Sequence, residues 1–487
     1  MDYSSIFILA TSFLILLSIG VPIAFSIGIS GIITMLISID TLPAFTTFAH
    51  RMATGLDSFS LLAIPFFILA GNIMNSGGIA IRLINFARIL VGKLPGGLAF
   101  VNVIANMLFG AISGSAAASA SAIGSIMHPE MKKEGYNENF STAVNISSAT
   151  TGLSIPPSNI LIVYSLASGG VSITALFLAG YIPGILTGIA IMLTAMSLLI
   201  YKNKGIKGVA LSIGIIGLIT AGILFSILGL KYMFGEFSKT INIITWLVLA
   251  ILIISFLVIK TLRNVNVFIQ GLLKFLDALP ALLMLIIVIG GIVSGFFTAT
   301  EASAVAVLYA MILSFIYKEI SWKDLPQIIL KSVKTTAIVL MLVATSIGLS
   351  WIMAYENIPQ DVSEGLLGLS DNVFVILLII NMILLFVGVF MDMTPAVLIF
   401  TPIFLPIVTN LGLDPIHFGI IMVLNLSVGL CTPPVGSVLF IGCSVSDVSI
   451  DRVVKPLLPM FISMIIILLL VTYIPELSMA LPRWLVK

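Results

Sequence analysis

Two stretches of this sequence place uncommitted oxygen atoms where an apolar segment should have none. One reads TGLSIPPSNI, from Thr151 to Ile160, and the other VGLCTPPVGS, from Val428 to Ser437. Each carries adjacent prolines, Pro156 and Pro157 in the first and Pro433 and Pro434 in the second. Proline has no backbone N–H and its ring clashes with the preceding turn, so each pair breaks a helix and frees carbonyls. Hydrocarbon offers those carbonyls no water. Together with the hydroxyls of Ser154, Ser158, Thr432 and Ser437 they form hard oxygen ligands suited to Na⁺. The half-helix N-termini that such breaks expose present free N–H groups and a positive dipole end, which favour a carboxylate.

Two further stretches offer the same chemistry. GAISGSAAASASAIGS contains Ser113, Gly114 and Ser115, and FMDMTPA contains Asp392, Thr394 and Pro395. A charged residue in an apolar stretch is expensive and is a functional candidate by default. Asp392 either ligates a cation or caps a helix starting at Thr394–Pro395. Small-residue runs and lone Pro-Pro pairs more often serve packing and kinks; it is their co-occurrence that favours a site. Asn145 and Asn425 each precede a Pro-Pro pair, although bridging helices is the ordinary use of such asparagines. The expectation is one Na⁺ near Ser113–Ser115 with Pro156–Asn159, and another near Asp392–Pro395 with Thr432–Gly436. No catalytic residues and no organic cofactor are expected. Cys431 and Cys443 are the only cysteines, the three histidines lie far apart, and no phosphate-binding G-x-x-x-x-G-K-[ST] motif occurs.

The elements that must hold these groups are membrane helices. The chain has 487 residues, 60% hydrophobic and 9% charged; a soluble chain carries roughly 25% charged residues. The sequence predicts an all-α polytopic membrane protein, with lipid as solvent and no nucleic-acid partner. Lys and Arg in short loops mark the cytoplasmic side. Basic clusters at Arg82–Lys93, Lys132–Lys133, Lys202–Lys207, Lys260–Lys274, Lys318–Lys334 and Arg452–Lys455 are placed inside. From Thr335 to Asp451 there is no Lys or Arg.

On that map 97–127 begins and ends inside, as a re-entrant hairpin, and 372–408 is a second hairpin entering from the opposite face. Broken helices follow at 137–169 and 416–445. SIGVPIAF near the start is either a tight turn between two helices or a kink in one. GIAIRLINFARILVGKLPGG (78–97) and KTLRNVNVFIQGLLKFLDALP (260–280) are amphipathic arms. Glu301 is read chiefly as opening a helix over 301–317.

The two halves repeat. Gly135 aligns with Gly412, Gly152 with Gly429, Leu153 with Leu430, and Pro-Pro with Pro-Pro, at a constant offset of 277. Each copy is hairpin, short loop, broken helix, and the copies enter from opposite faces. Inverted-topology repeats with interrupted helices are the architecture of secondary transporters. The expected division is scaffold helices and an arm (1–96), transport repeat 1 (97–200), an inserted helix pair (201–262), scaffold helices with a second arm (263–356), transport repeat 2 (357–450) and a C-terminal helix (451–487).

Several motifs resemble a known family. IPFFILAGNIM (64–74), GLSIPPSNILIVYS (152–165), FLAGYIPGIL (177–186), FFTATEASAVAVLYA (296–310), FMDMTPAVLIFTPIFLPI (390–407) and HFGIIMVLNLSVGLCTPPVGSVLFIGCSV (417–445) are similar to the large membrane subunit of tripartite ATP-independent periplasmic (TRAP) transporters. The resemblance implies an elevator-type, Na⁺-coupled importer in the bacterial cytoplasmic membrane. It implies a small membrane subunit and an extracytoplasmic binding protein as partners, and an organic acid such as a C4-dicarboxylate or sialic acid as cargo. A stand-alone Na⁺- or H⁺-coupled symporter of related fold is the alternative. Two departures stand out. Thr298-Ala299-Thr300-Glu301 replaces the family's Thr-Pro-Thr-Glu, and about 55 residues are inserted near 206–260.

Overall fold

A computed structural model describes residues 4–94, 96–200, 265–370, 372–433 and 436–485. The expected inserted pair near 206–260, and Pro434, lie outside the described residues. The N-terminal part comprises α1 (Ser4–Ser18), α2 (Ile23–Ser38) and α3 (Thr41–Gly55). A 3₁₀ turn at Phe59–Leu62 leads into α4 (Ala63–Ser76), followed by α5 (Ile79–Val91). α1 and α2 pack on one another across the Ile19–Pro22 connection, so SIGVPIAF is a turn between two helices.

The first hairpin is α6 (Gly97–Ser113) and α7 (Ala116–Lys133), followed by α8 (Glu138–Ala149), α9 (Asn159–Ala167) and α10 (Ile173–Ile200). Then come α11 (Val265–Val293), α12 (Ala299–Ile316), α13 (Leu325–Tyr355) and α14 (Ile358–Leu367). The second hairpin is α15 (Val373–Phe390) and α16 (Met393–Asn410), followed by α17 (Pro415–Gly429), α18 (Ser437–Ser446), α19 (Ile450–Tyr473) and α20 (Glu476–Leu485). Eight helices among the described residues are long and apolar enough to cross a membrane.

One boundary differs from the sequence expectation. The described part of the arm expected over 260–280 does not end at Pro280 but runs on through it as one helix, α11, to Val293. A proline removes one hydrogen bond and costs about 3 kcal/mol or more. Ending a helix in hydrocarbon strands several backbone groups at once, which is worse. Tyr309 donates to the Pro280 carbonyl at 2.8 Å, so α12 also supports the helix there.

Small residues set how closely the scaffold packs. α12 packs on α4; α12 buries Ala302, Ala306 and Ala310, spaced four apart, and α4 buries Ala63 and Ala70. Without large side chains the two backbones approach closely. This matters for the site because α4 also carries the hairpin. A Cβ at Gly71 would lie 2.9 Å from the carbonyl oxygen of Ser113. α4 is therefore pressed against the tip of the first hairpin.

α12 begins with a capping box. The Glu301 carboxylate accepts from the Thr298 N–H at 2.8 Å and from its hydroxyl at 2.9 Å, and the Glu301 N–H donates to Thr298 Oγ1. The Ala299 departure from the family pattern leaves this cap complete. We expect Thr298→Ala to destabilise the purified protein by about 1 kcal/mol. Thermal unfolding in detergent measures that loss, and uptake should survive it.

Arg82 ties the arms together. Its guanidinium lies 3.3 Å from Asp277 Oδ1 on α11 and 3.6 Å from Glu319, and stacks over the Tyr317 ring at 3.7 Å. The side chain is 13% exposed, so the charge is largely shielded from solvent and needs these partners.

Candidate functional site

The first hairpin turns at Gly114, which takes φ 62°, a left-handed value that glycine adopts without strain. Ser115 then caps α7, its hydroxyl accepting from the Ala118 N–H at 3.2 Å. A Cβ at Gly114 would fall 2.6 Å from Asn159 Nδ2. The tip Ser113–Ser115 is thus seated against the N-terminus of α9.

The helix before that point is broken. α8 stops at Ala149, a 3₁₀ turn covers Thr151–Leu153, and Ser154–Ser158 is non-helical up to Asn159. The Pro156–Pro157 peptide bond is cis. The Ser158 hydroxyl donates back to the Leu153 carbonyl at 2.5 Å, taking up one group released by the break. Ser154 is buried, and its hydroxyl has no hydrogen-bond partner among the described residues.

The second unit is built alike. The turn between α15 and α16 is Met391–Asp392, and Asp392 Oδ1 accepts from the Met393 N–H at 2.9 Å. Asp392 therefore caps α16 and is also exposed at the tip, beside half-buried Thr394 and buried Pro395. α17 ends at Gly429. Thr432 then turns the chain, its N–H donating to the Gly429 carbonyl at 2.9 Å and its carbonyl accepting from the Gly436 N–H at 3.0 Å. α18 restarts at Ser437, with Pro433 half-buried in the turn.

The two units share one contact that neither composition nor periodicity reveals. A Cβ at Gly110, on the first arm of hairpin 1, would lie 2.9 Å from the Gly152 Cα; a Cβ at Gly388, on the first arm of hairpin 2, would lie 3.0 Å from the Gly429 Cα. Each hairpin touches its own break, backbone against backbone, through a glycine pair. The breaks also meet each other, since Cys431 Sγ is 3.5 Å from the Ile146 carbonyl of α8. Tyr164 of α9 donates to the Pro415 carbonyl at 2.6 Å, joining one broken helix to the start of the other.

The candidate residues fall into two groups. Ser113, Gly114, Ser115, Ser158 and Asn159 gather at the first tip and break. Asp392, Thr394 and Pro395 form the second tip; that unit is joined to its break through Gly388 and Gly429, about a turn away from Asp392 and Thr432.

Asn145 and Asn425 instead lie buried between hairpin and broken helix. Asn106 Nδ2 donates to Asn102 Oδ1 at 2.6 Å and lies within hydrogen-bond reach of Asn145 Oδ1 and Ser148 Oγ, while Ser119 donates to Asn106 Oδ1 at 2.7 Å. Asn145 donates to the Ala120 carbonyl, and Asn425 donates to Asn381 Oδ1 at 2.7 Å. Asn106→Ala strands several buried groups, at about 1–3 kcal/mol each for those left unpaired. We expect a clear drop in the thermal unfolding midpoint in detergent, and reduced uptake in proportion to the folded fraction.

Beyond the tips, an open cavity of about 1040 Å³ lies between the α7–α8 loop and the end of α18. Glu138, Asp447 and Arg452 line it, so it opens on the side that the basic clusters assign to the cytoplasm.

A family model described as tripartite ATP-independent periplasmic transporter, DctM component, matches residues 10–477. The chain belongs to the DctM family. It is 50% identical to the protein YgiK of Salmonella typhimurium over 99% of both chains. It is 33% identical to the C4-dicarboxylate TRAP transporter large permease DctM of Rhodobacter capsulatus, over 95% of this chain and 96% of that one. Among solved structures, the YdaH transporter of Alcanivorax borkumensis shares the fold, with a TM-score of 0.57 at 14% identity, covering 92% of this chain and 90% of that one. As a DctM-family chain it is a multi-pass protein of the bacterial inner membrane and the large permease of a binding-protein-dependent uptake system. Sequence reasoning marks Gly110 and Gly388 as the starts of the two hairpin tips, 25 residues before Gly135 and 24 before Gly412, but not as contacts of the breaks, and it misses Gly71. Each acts through a partner distant in the chain or across a turn, and only the Gly152–Gly429 correspondence hinted at the pairing.

Proposed function

We propose that this permease imports an organic acid with Na⁺. The acid is a C4-dicarboxylate, sialic acid or a similar carboxylate. An extracytoplasmic binding protein delivers it, and a small membrane subunit completes the complex. The observation that carries this reading is the recurrence of the hairpin-to-break contact, Gly110 with Gly152 and Gly388 with Gly429. Each unit sets freed carbonyls and hydroxyls beside a capped helix start. Oxygen ligands of that kind bind Na⁺, and the N–H groups of restarting helices donate to a carboxylate.

The two units hold Na⁺ near Ser113–Ser115 with Pro156–Asn159 and near Asp392–Pro395 with Thr432–Gly436. They move together against the α4–α12–α13 scaffold in an elevator step. Two copies entering from opposite faces make this inverted repeat self-consistent, because each tip then faces the other near the midplane.

Reconstitution tests the assignment. The permease is placed in liposomes with and without its small subunit, and uptake of labelled succinate and sialic acid is followed with and without binding protein and an inward Na⁺ gradient. Uptake that needs all three components and the gradient is expected. Equal uptake by the permease alone contradicts the three-component reading and selects a stand-alone symporter.

A further inference from the structure

The arm α5 carries two arginines, six residues apart, that hold it to different parts of the molecule. Arg82, near its start, is the anchor to the scaffold through Asp277 of α11 and Glu319. Arg88, near its end, pairs instead with Glu130 close to the end of α7. α5 packs on both α6 and α11, so it lies between hairpin 1 and the scaffold. It joins α6 through the short Gly92–Gly97 turn, where Gly96 takes φ 81° and a Cβ at Gly97 would collide with the Gly92 carbonyl oxygen. The arm therefore grips hairpin 1 at both cytoplasmic ends, covalently at the start of α6 and electrostatically near the end of α7. We propose that the Arg88–Glu130 pair is a releasable latch, made while the cytoplasmic cavity is open and broken when hairpin 1 moves outward; it rests on the elevator reading above.

The two arginines differ in how firmly they are held. Arg82 has a side chain 13% exposed and meets two carboxylates, the Tyr317 ring and the Gly78 carbonyl. Stripping a shielded charge of that many partners is costly, which suits a permanent joint. Arg88 has a single carboxylate; its side chain is 37% exposed and that of Glu130 is 36% exposed. Its Nε is buried without a partner among the described residues, so the guanidinium is held to Glu130 through Nη2. Water reaches both charges. An ion pair of this exposure shifts an equilibrium only by about threefold. A contact that opens in every transport cycle has to be weak, and this one is.

Position gives the latch its effect. α7 ends at Lys133, and the loop that follows, with Tyr136 to Asn139, forms one wall of the open cytoplasmic cavity. Holding Glu130 to the arm holds that wall in its open arrangement. The second hairpin has no such latch from its own stretch. No Lys or Arg occurs between Thr335 and Asp451, and the arm before that hairpin, α14, carries only the acids Asp361 and Glu364. The bias is one-sided, toward the state open to the cytoplasm.

The test reads that bias in the full permease with its small subunit in proteoliposomes. Ser444→Cys, in the cavity wall, reports access from the cytoplasmic side. Ala167→Cys, its counterpart at the offset of 277, reports access from the other side. Each is labelled with a membrane-impermeant maleimide and scaled to the thiol that reacts after denaturation, with the buried Cys431 and Cys443 of the parent as background. The ratio of external to cytoplasmic labelling rates is expected to rise about threefold in both Arg88→Gln and Glu130→Gln. It should return to the parent value in the swapped double variant Arg88→Glu/Glu130→Arg. A merely structural pair would lower the unfolding midpoint and leave the ratio unmoved. Unchanged ratios in both single variants overturn the latch, as does a raised ratio that the swap fails to restore. If Na⁺ with succinate or sialic acid still shifts the ratio, elevator motion stands without the latch; if it does not, that reading fails as well.

Discussion

Gly152→Ala is expected to reduce uptake by more than about tenfold and to destabilise the fold by about 1–3 kcal/mol. The added Cβ would come within 2.5 Å of the Gly110 Cα, 2.7 Å of its carbonyl carbon and 2.8 Å of the Ala111 nitrogen. All three are backbone atoms, so no rotamer change relieves the clash, and the hairpin must move off the break. A shift of that size separates Ser113–Ser115 from Asn159, and positioning errors near 1 Å are costly in functional sites.

Gly429→Ala should behave alike, since its Cβ would meet the Gly388 Cα at 2.6 Å and carbonyl carbon at 2.8 Å. Gly365→Ala, on α14, meets nothing within 4 Å and serves as the neutral control. Uptake per folded molecule is the quantity to compare. Two variants that retain normal uptake would show that the glycine contacts do not position the site.

The second large effect concerns charge. Asp392 caps α16 through the Met393 N–H, and asparagine caps a helix as well as aspartate does. Asp392→Asn therefore keeps the helix start and removes only the negative charge at the exposed tip. If that carboxylate faces Na⁺, the half-saturating Na⁺ concentration should rise by about tenfold or more, a loss near 1.4 kcal/mol, with the unfolding midpoint little changed. Measuring succinate uptake across a Na⁺ series separates the two roles. An unaltered Na⁺ dependence at normal expression would leave capping as the whole function of Asp392.

Much of this geometry was written in local chemistry. Proline cannot continue a helix, and α9 and α18 restart at Asn159 and Ser437, just past the Pro-Pro pairs. Small residues marked the first hairpin turn, and Asp392, read as either a cap or a ligand, marked the second. What stayed hidden depends on partners distant in the chain. Pro280 reads as a boundary, yet α11 runs through it because hydrocarbon penalises a helix end more than one missing bond. Asn145 and Asn425 gained weight as site candidates because each precedes a Pro-Pro pair, but the structure shows the ordinary use of such asparagines, since each bridges its broken helix to a hairpin. Thr187, about thirty residues past the first break, lies beside Thr150, Thr151 and Ser154 only because α10 folds back along the break. No periodicity in the sequence encodes that proximity.

We propose that paired hairpin tips and helix breaks, rather than any charged pocket, hold cargo and its driving ion. Cryo-electron microscopy of the permease with its small subunit in lipid nanodiscs, with saturating NaCl and succinate, addresses it most directly. The account predicts ion density between Ser113–Ser115 and Asn159, a second ion near Asp392 and Thr432, and the acid lying between the two tips. Succinate resolved instead against Arg452 in the open cavity, with the tips and breaks touching neither ion nor acid, would contradict it.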